Sequence, residues 1–159
     1  MKKKIAKKTV WIVVICILSL FILINISWYI WRTVKYESYS TGMEENFFST
    51  WIVPRYIQTD TDGYDYSVKY PDYLSFTGNL SIVSSSPDDN PFANALIIWP
   101  KTFGGYEYGV MLEEGEEQFQ IYINPDGSAV YPEDSEVTAR HQENIDELLQ
   151  RARKMWNLE

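Results

Sequence analysis

Residues 9–31 read TVWIVVICILSLFILINISWYIW and contain no charged side chain. As an α-helix this stretch would be about 35 Å long, slightly more than the ~30 Å hydrocarbon core of a bilayer. Trp28 and Trp31 near its end suit the headgroup region, and Arg32 and Lys35 follow at once. The sequence therefore predicts one transmembrane helix over residues 9–31.

The flanking residues predict how this helix is placed. The basic tail of residues 1–8 carries five lysines, whereas two cations follow the helix closely, so the N-terminus should stay cytoplasmic. A cleaved signal peptide has an apolar core of about 7–15 residues that ends in small side chains. This run is longer and ends in bulky aromatics. We therefore expect an uncleaved signal-anchor in a single-pass protein of the cell membrane, with its C-terminal domain extracytoplasmic.

Charge and cysteine content narrow the class of the outer domain. Residues 33–159 hold 8 basic and 22 acidic side chains, a net charge of −14, which repels nucleic acid. The single cysteine, Cys16, lies inside the apolar run, so the outer domain can form no internal disulfide. A small secreted eukaryotic domain often depends on disulfides, and their absence favours a bacterial envelope protein.

A juxtamembrane segment, residues 32–54, separates the anchor from the domain at residues 55–159. Thr41 and Glu44 have the spacing of a capping box, which predicts a short helix that ends before Pro54. Its apolar side chains share one helical face: Met43, Phe47, Phe48, Trp51 and Ile52.

The domain that follows alternates with a period of two residues, which is typical of half-buried strands. We predict an antiparallel β-meander of about six strands, with turns at its Gly, Pro and Asp clusters. The predicted strands cover residues 55–59, 64–70, 74–82, 95–99, 106–112, 117–123 and the short stretch 128–131.

A C-terminal amphipathic helix closes the chain, beginning at Asp134 or Ser135. Its apolar side chains recur every three or four residues, so we expect it to cover one face of the sheet. The stripe comprises Val137, His141, Ile145, Leu148, Ala152 and Trp156. The predicted fold class is therefore α+β.

Candidate sites in the domain are weak. Asp60, Asp62 and Asp65 surround Gly63, but the order of the EF-hand calcium loop differs, and a solvated turn is the simpler interpretation. The acids between Glu113 and Glu117 fit a charged strand edge better than a cation site. The lone His141 fits a partly buried structural residue better than a catalytic base. No cofactor motif is present in the sequence, and we predict no catalytic residues.

These features favour a non-catalytic binding or assembly module whose partners are the lipid bilayer and another membrane or envelope protein. The many aromatic side chains, Trp99 among them, suit either an interface or a core. An alternative is an accessory subunit that works through its transmembrane helix, where Asn25 and Ser19 or Ser27 can bond to a neighbouring helix. An envelope hydrolase built from scattered carboxylates ranks last.

Overall fold

The computed structural model describes residues 2–46, 53–84 and 94–158. The chain forms two compact units, Met1–Lys35 and Tyr36–Glu159. Helix α1 runs from Lys2 to Ser40, and its stretch from Lys8 onward has a peak mean hydropathy of 2.8. Within the described residues, this is the one helix long and apolar enough to cross a membrane. It contains the whole of the predicted span.

Helix α1 continues past the predicted span because neither glycine nor proline interrupts it before Gly42. Gly42 has a φ of +84°, the left-handed conformation that commonly follows the end of a helix. The last turn of α1 belongs to the second unit, because that unit begins at Tyr36, and the Tyr36 side chain is fully buried in it. This unit starts at Tyr36, whereas the sequence placed its start at residue 55.

The segment after α1 differs from the predicted short helix. Thr41 lies behind a helix, where its hydroxyl donates to the carbonyl of Glu37 at 2.9 Å, and so it does not cap a new helix. Glu44–Glu45 instead form strand β1, which pairs with the next strand along the chain. The remainder of the predicted helix, residues 47–52, lies outside the described residues.

An antiparallel sheet of seven strands forms the second unit, and the strands lie side by side in chain order. The α+β prediction is confirmed, with seven strands instead of about six; β1 was not predicted, and the predicted short strand 128–131 is not a strand of the sheet. The other strands are β2 (Arg55–Thr59), β3 (Tyr64–Lys69), β4 (Asn79–Ser84), β5 (Asn94–Pro100), β6 (Tyr106–Glu114) and β7 (Glu117–Ile123).

Two predicted strand segments are wrong. Leu74 and Phe76 lie in the loop before β4, and both side chains are exposed. Leu74 has a φ of +55°, which no strand accommodates, so the strand cannot begin at this residue. The stretch 128–131 forms only an isolated bridge, in which Ala129 pairs with Ile123.

The C-terminal residues cover one face of the sheet, as predicted, but they form two helices rather than one. Helix α2 (Ser135–Arg140) follows a 3-10 turn, and helix α3 (Gln142–Trp156) begins after a break at His141. At the break, the His141 side chain bonds to Glu114 on β6. The core lies between α3 and the sheet and includes Val68, Leu80, Ile82, Leu96, Ile98, Val110, Ile145, Leu148, Leu149 and Ala152.

Candidate functional site

The sheet has a second face, opposite α3, which we call the open face. Its side chains alternate along each strand with those of the core. The two depressions on it are lined only by strand residues among the described parts of the chain. The open face comprises Ile57, Ser67, Ser81, Val83, Ala95, Ile97, Trp99, Gly109, Met111, Gln120 and Tyr122, with Arg55, Thr59, Asp65, Lys69 and Asn79 toward its rim.

A shallow trough crosses the open face along one row of strand register. This row contains small residues, Ser67, Ser81 and Gly109, which leave the floor of the trough low. Larger side chains, Ile57 and Ile97, stand in the same row. The two serine hydroxyls lie 2.7 Å apart and hydrogen-bond to each other. The floor therefore presents few polar groups that need a ligand.

Two aromatic side chains mark the β5–β7 end of the trough. The indole of Trp99 lies over Gly109, where a Cβ atom would approach the ring to 2.9 Å, so only glycine admits this packing. The ring of Tyr122 lies 5.9 Å from that of Trp99 and is half exposed. Met111 lines both depressions beside them. This end of the trough combines the residue types that are enriched at protein interfaces.

One of the two depressions is smaller than a typical metabolite pocket, the other is at the low end of the range, and both are open to solvent. They measure about 160 Å³ beside Trp99 and about 360 Å³ beside Ser67. Pockets for drug-sized ligands hold roughly 300–1,000 Å³ and enclose most of the ligand. A wide, shallow and partly apolar surface suits the side chains of a protein partner better than an enclosed small molecule.

The three aspartates considered as a metal site do not lie together. Asp60 and Asp62 face the guanidinium of Arg151 on α3, with oxygen–nitrogen distances of 4.0 and 3.7 Å. Asp65 lies on the open face and accepts a 2.7 Å hydrogen bond from Thr59. Within the described residues, no group of three or more acidic, histidine or cysteine side chains could hold a metal ion.

Arg151 was not identified as a partner of these aspartates from the sequence. It also bonds to Glu147 one turn earlier on α3, and its guanidinium stacks 3.8 Å above the ring of Tyr64. Because a cation of the protein itself already stands at the β2–β3 turn, this cluster ties α3 to the sheet. The signal available in the sequence was only the basic end of the helix, which does not specify a partner.

His141 also joins a helix to the sheet. Its Nε2 atom lies 2.9 Å from Glu114 Oε1, and Arg140 donates two hydrogen bonds to the same carboxylate. The bond from Arg140, with that from His141, holds the pKa of Glu114 below its ordinary value. Glu114 thus forms a tie between β6 and the α2–α3 junction, whereas the sequence indicated only a charged edge.

A tyrosine cluster at the end of α1 was missed entirely. The hydroxyl of Tyr36 accepts a hydrogen bond from the Gly78 N–H at 2.8 Å, and the ring packs so closely that Gly78 has no room for a Cβ. Tyr39 bonds to Tyr106 through their hydroxyls at 3.1 Å. Trp156 of α3 donates to the Tyr39 carbonyl. These contacts explain why the last turn of α1 belongs to the domain.

The other residues considered as binding groups, Asn25 and two tryptophans, lie in different surroundings. In α1, the side-chain amide of Asn25 donates to the Phe21 carbonyl of its own helix at 2.8 Å. Trp156 packs edge-on against Tyr66 in the core, whereas Trp99 lies on the open face. No protein family, curated protein or solved structure matches this chain.

Proposed function

We propose that this protein is a membrane-anchored, extracytoplasmic, non-catalytic module that binds another membrane or envelope protein on its open face. The observation that carries this proposal is the contrast between the two faces of one sheet. Leu96 and Ile98 on the α3 side are fully buried, while Ile97 and Trp99, which alternate with them along β5, remain partly exposed. Apolar surface of this kind on a soluble domain commonly marks a docking site.

The chemistry of the open face favours binding over reaction. Its central hydroxyls, on Ser67 and Ser81, bond to each other. The only histidine, His141, bonds to Glu114 at the junction of α2 and α3. A nucleophile or general base needs an orienting partner and a substrate position beside it, and the trough offers apolar side chains there instead.

The anchor supports a partner that is itself in or near the membrane. A tether raises the effective concentration of the domain for neighbours in the same bilayer, so even a small apolar contact can give stable association. The acidic surface outside the trough keeps the domain soluble and limits non-specific contact with acidic neighbours. The N-terminal lysines support a cytoplasmic N-terminus and therefore an extracytoplasmic domain.

The test is site-specific photocross-linking in intact cells. A photoreactive amino acid replaces Tyr122 on the open face or, as the control, Glu143 on the exposed side of α3. The proposal predicts a discrete cross-linked protein from position 122 and none from position 143. Adding Ile97→Lys, which places a charge in the trough, should abolish the product at 122.

The alternatives give different outcomes in the same experiment. Equal cross-linking from both positions, or a product at 122 that survives Ile97→Lys, would remove the open face as the binding site. Products obtained only from photoreactive residues within α1 would favour the accessory subunit that acts through its transmembrane helix.

A further inference from the structure

The loops of the sheet divide between its two ends. In an antiparallel meander, alternate connections lie at the same end. Residues 70–78 after β3, residues 101–105 after β5 and the turn 124–128 after β7 therefore share one end. The β2–β3 and β6–β7 turns lie at the other end.

The end that holds these three loops is the one to which α1 is attached, and we call it the α1 end. Tyr36 bonds to Gly78 at the close of the first loop. Ser40 bonds to Tyr70 at its start, with 2.9 Å between the hydroxyls. Each contact involves a residue of the last turn of α1, so the chain enters the domain at this end of the sheet.

Large apolar side chains protrude from the loops of the α1 end. Phe103 at the tip of the β5–β6 hairpin is 102% exposed, as open as in an extended chain. The β3–β4 loop exposes 50% of Tyr73, 42% of Leu74 and 51% of Phe76. Four such side chains from two separate loops form an exposed apolar group at one end of a domain.

The backbone of the β3–β4 loop gives a second, independent indication. Leu74 adopts a φ of +55°, a conformation that costs free energy for any residue with a branched or bulky side chain. Gly or Asn would relieve this strain. Leu74 keeps this conformation with 42% of its side chain exposed, and an apolar surrounding outside the protein would bury that remaining surface.

We propose that the loops bearing Phe103 and Tyr73–Phe76 insert into the headgroup layer of the bilayer that holds α1. The proposal rests on the membrane anchor in the proposed function. The connection along the chain keeps the α1 end near the membrane. Tyr36 lies five residues beyond Trp31, so the α1 end is at most roughly 18 Å along the chain from the predicted edge of the span. Aromatic side chains favour the headgroup region, where a ring can be buried while its polar edge stays hydrated.

The charges at this end favour an uncharged lipid surface over an anionic one. Lys101 pairs with Glu107 at 3.2 Å, and Lys69 pairs with Asp72 at 3.2 Å. These lysines are thus neutralised by acids of the domain itself, and the domain as a whole is acidic. Insertion of the apolar loop tips into phosphatidylcholine is the interaction that this chemistry fits.

The experiment uses the full-length protein in phosphatidylcholine vesicles that contain lipids brominated along the acyl chain, which quench nearby fluorophores. A fluorophore is attached in detergent at Thr102→Cys beside Phe103, or at Glu116→Cys in the β6–β7 turn at the other end, each with Cys16→Ser. A third sample carries the fluorophore on native Cys16 and reports the span itself. We expect loss of fluorescence at positions 16 and 102, none at 116, and recovery at 102 when Phe103→Ser is added.

The outcomes separate the inference from the anchor on which it rests. Quenching at Cys16 with none at position 102 overturns loop insertion and leaves the anchor intact. Equal quenching at 102 and 116 shows adsorption by the fluorophore and also overturns the inference. Absence of quenching at Cys16 removes the anchor, and with it the proposed insertion.

Discussion

Replacement of Tyr36 provides the sharpest stability prediction, because the structure places this residue of the apparent membrane helix inside the folded domain. Tyr36→Ala removes a fully buried ring that packs 5.5 Å from the ring of Tyr70. Truncation of a buried aromatic residue costs about 3–5 kcal/mol. Tyr36→Phe retains the ring and leaves the Gly78 N–H without its acceptor, which costs about 1–3 kcal/mol for a buried donor.

The assay is urea denaturation of a soluble fragment that begins at Thr33, monitored by circular dichroism. Tyr131→Phe is the matched control, since Tyr131 is half exposed, and its free energy of unfolding should change by less than about 0.5 kcal/mol. A shorter fragment that begins at Thr41 lacks the buried turn and should unfold at lower urea or fail to fold cooperatively. If Tyr36→Ala matched the control, or if both fragments were equally stable, the end of α1 would be no part of the domain.

Three further predictions follow from the same contacts. Leu148→Ala removes a core side chain that is 2% exposed and should cost about 2–5 kcal/mol by denaturation, whereas Glu143→Ala on the outer side of α3 should be nearly neutral; equal effects would contradict the packing of α3 on the sheet. Gly78→Ala should destabilise the fragment by about 1–3 kcal/mol or more, because the new Cβ would lie 2.3 Å from the Lys69 carbonyl oxygen, and an unchanged midpoint would refute this close approach. Glu114 has a lowered pKa in the folded state, so its contribution is present above its ordinary pKa of 4.5 and is lost as the pH falls through the folded value. The stability difference between wild type and Glu114→Gln should therefore narrow on acidification, and a constant difference would exclude the ties to Arg140 and His141.

The sequence predicted those features that depend on local periodicity. The apolar run identified the helix long enough to span a membrane, and the alternation of Tyr64, Tyr66 and Val68 identified β3. The stripe through Ile145 and Leu148 placed α3 on the sheet. In each case the signal lies within a single helix or strand, as an unbroken apolar run or as apolar side chains at a fixed spacing.

The features that the sequence did not predict depend on contacts between distant residues. Tyr36 and Gly78 are 42 residues apart, and neither position carries a local signal for their hydrogen bond. The bond between His141 and Glu114 likewise joins residues that are 27 positions apart, on a helix junction and on a strand. The capping-box spacing at Thr41 was misleading because the preceding helix continues to Ser40. Thr41 therefore lies at the C-terminal end of one helix and not at the N-terminal end of another.

In the candidate site, too, local patterns predicted one part and contacts between strands decided the other. Aromatic enrichment indicated that binding was a reasonable use of this domain, but the alternation of residues 95–99 could not be seen in a continuous apolar run. Only the register of β5 with β4 and β6 shows that Ile97 and Trp99 point away from α3. A strand that is apolar on both faces is normally covered on both, and among the described residues the cover of β5 lies on the α3 side.

Both proposals depend on one retained helix that holds the domain outside the membrane. Protease added to intact cells from which the wall has been removed tests it directly, with the N-terminal residue of the purified protein determined in parallel. We expect digestion of the domain, a small membrane-bound fragment that contains residues 9–31, and an N-terminus that precedes residue 9. A protected domain, or a mature N-terminus near residue 32, would contradict it.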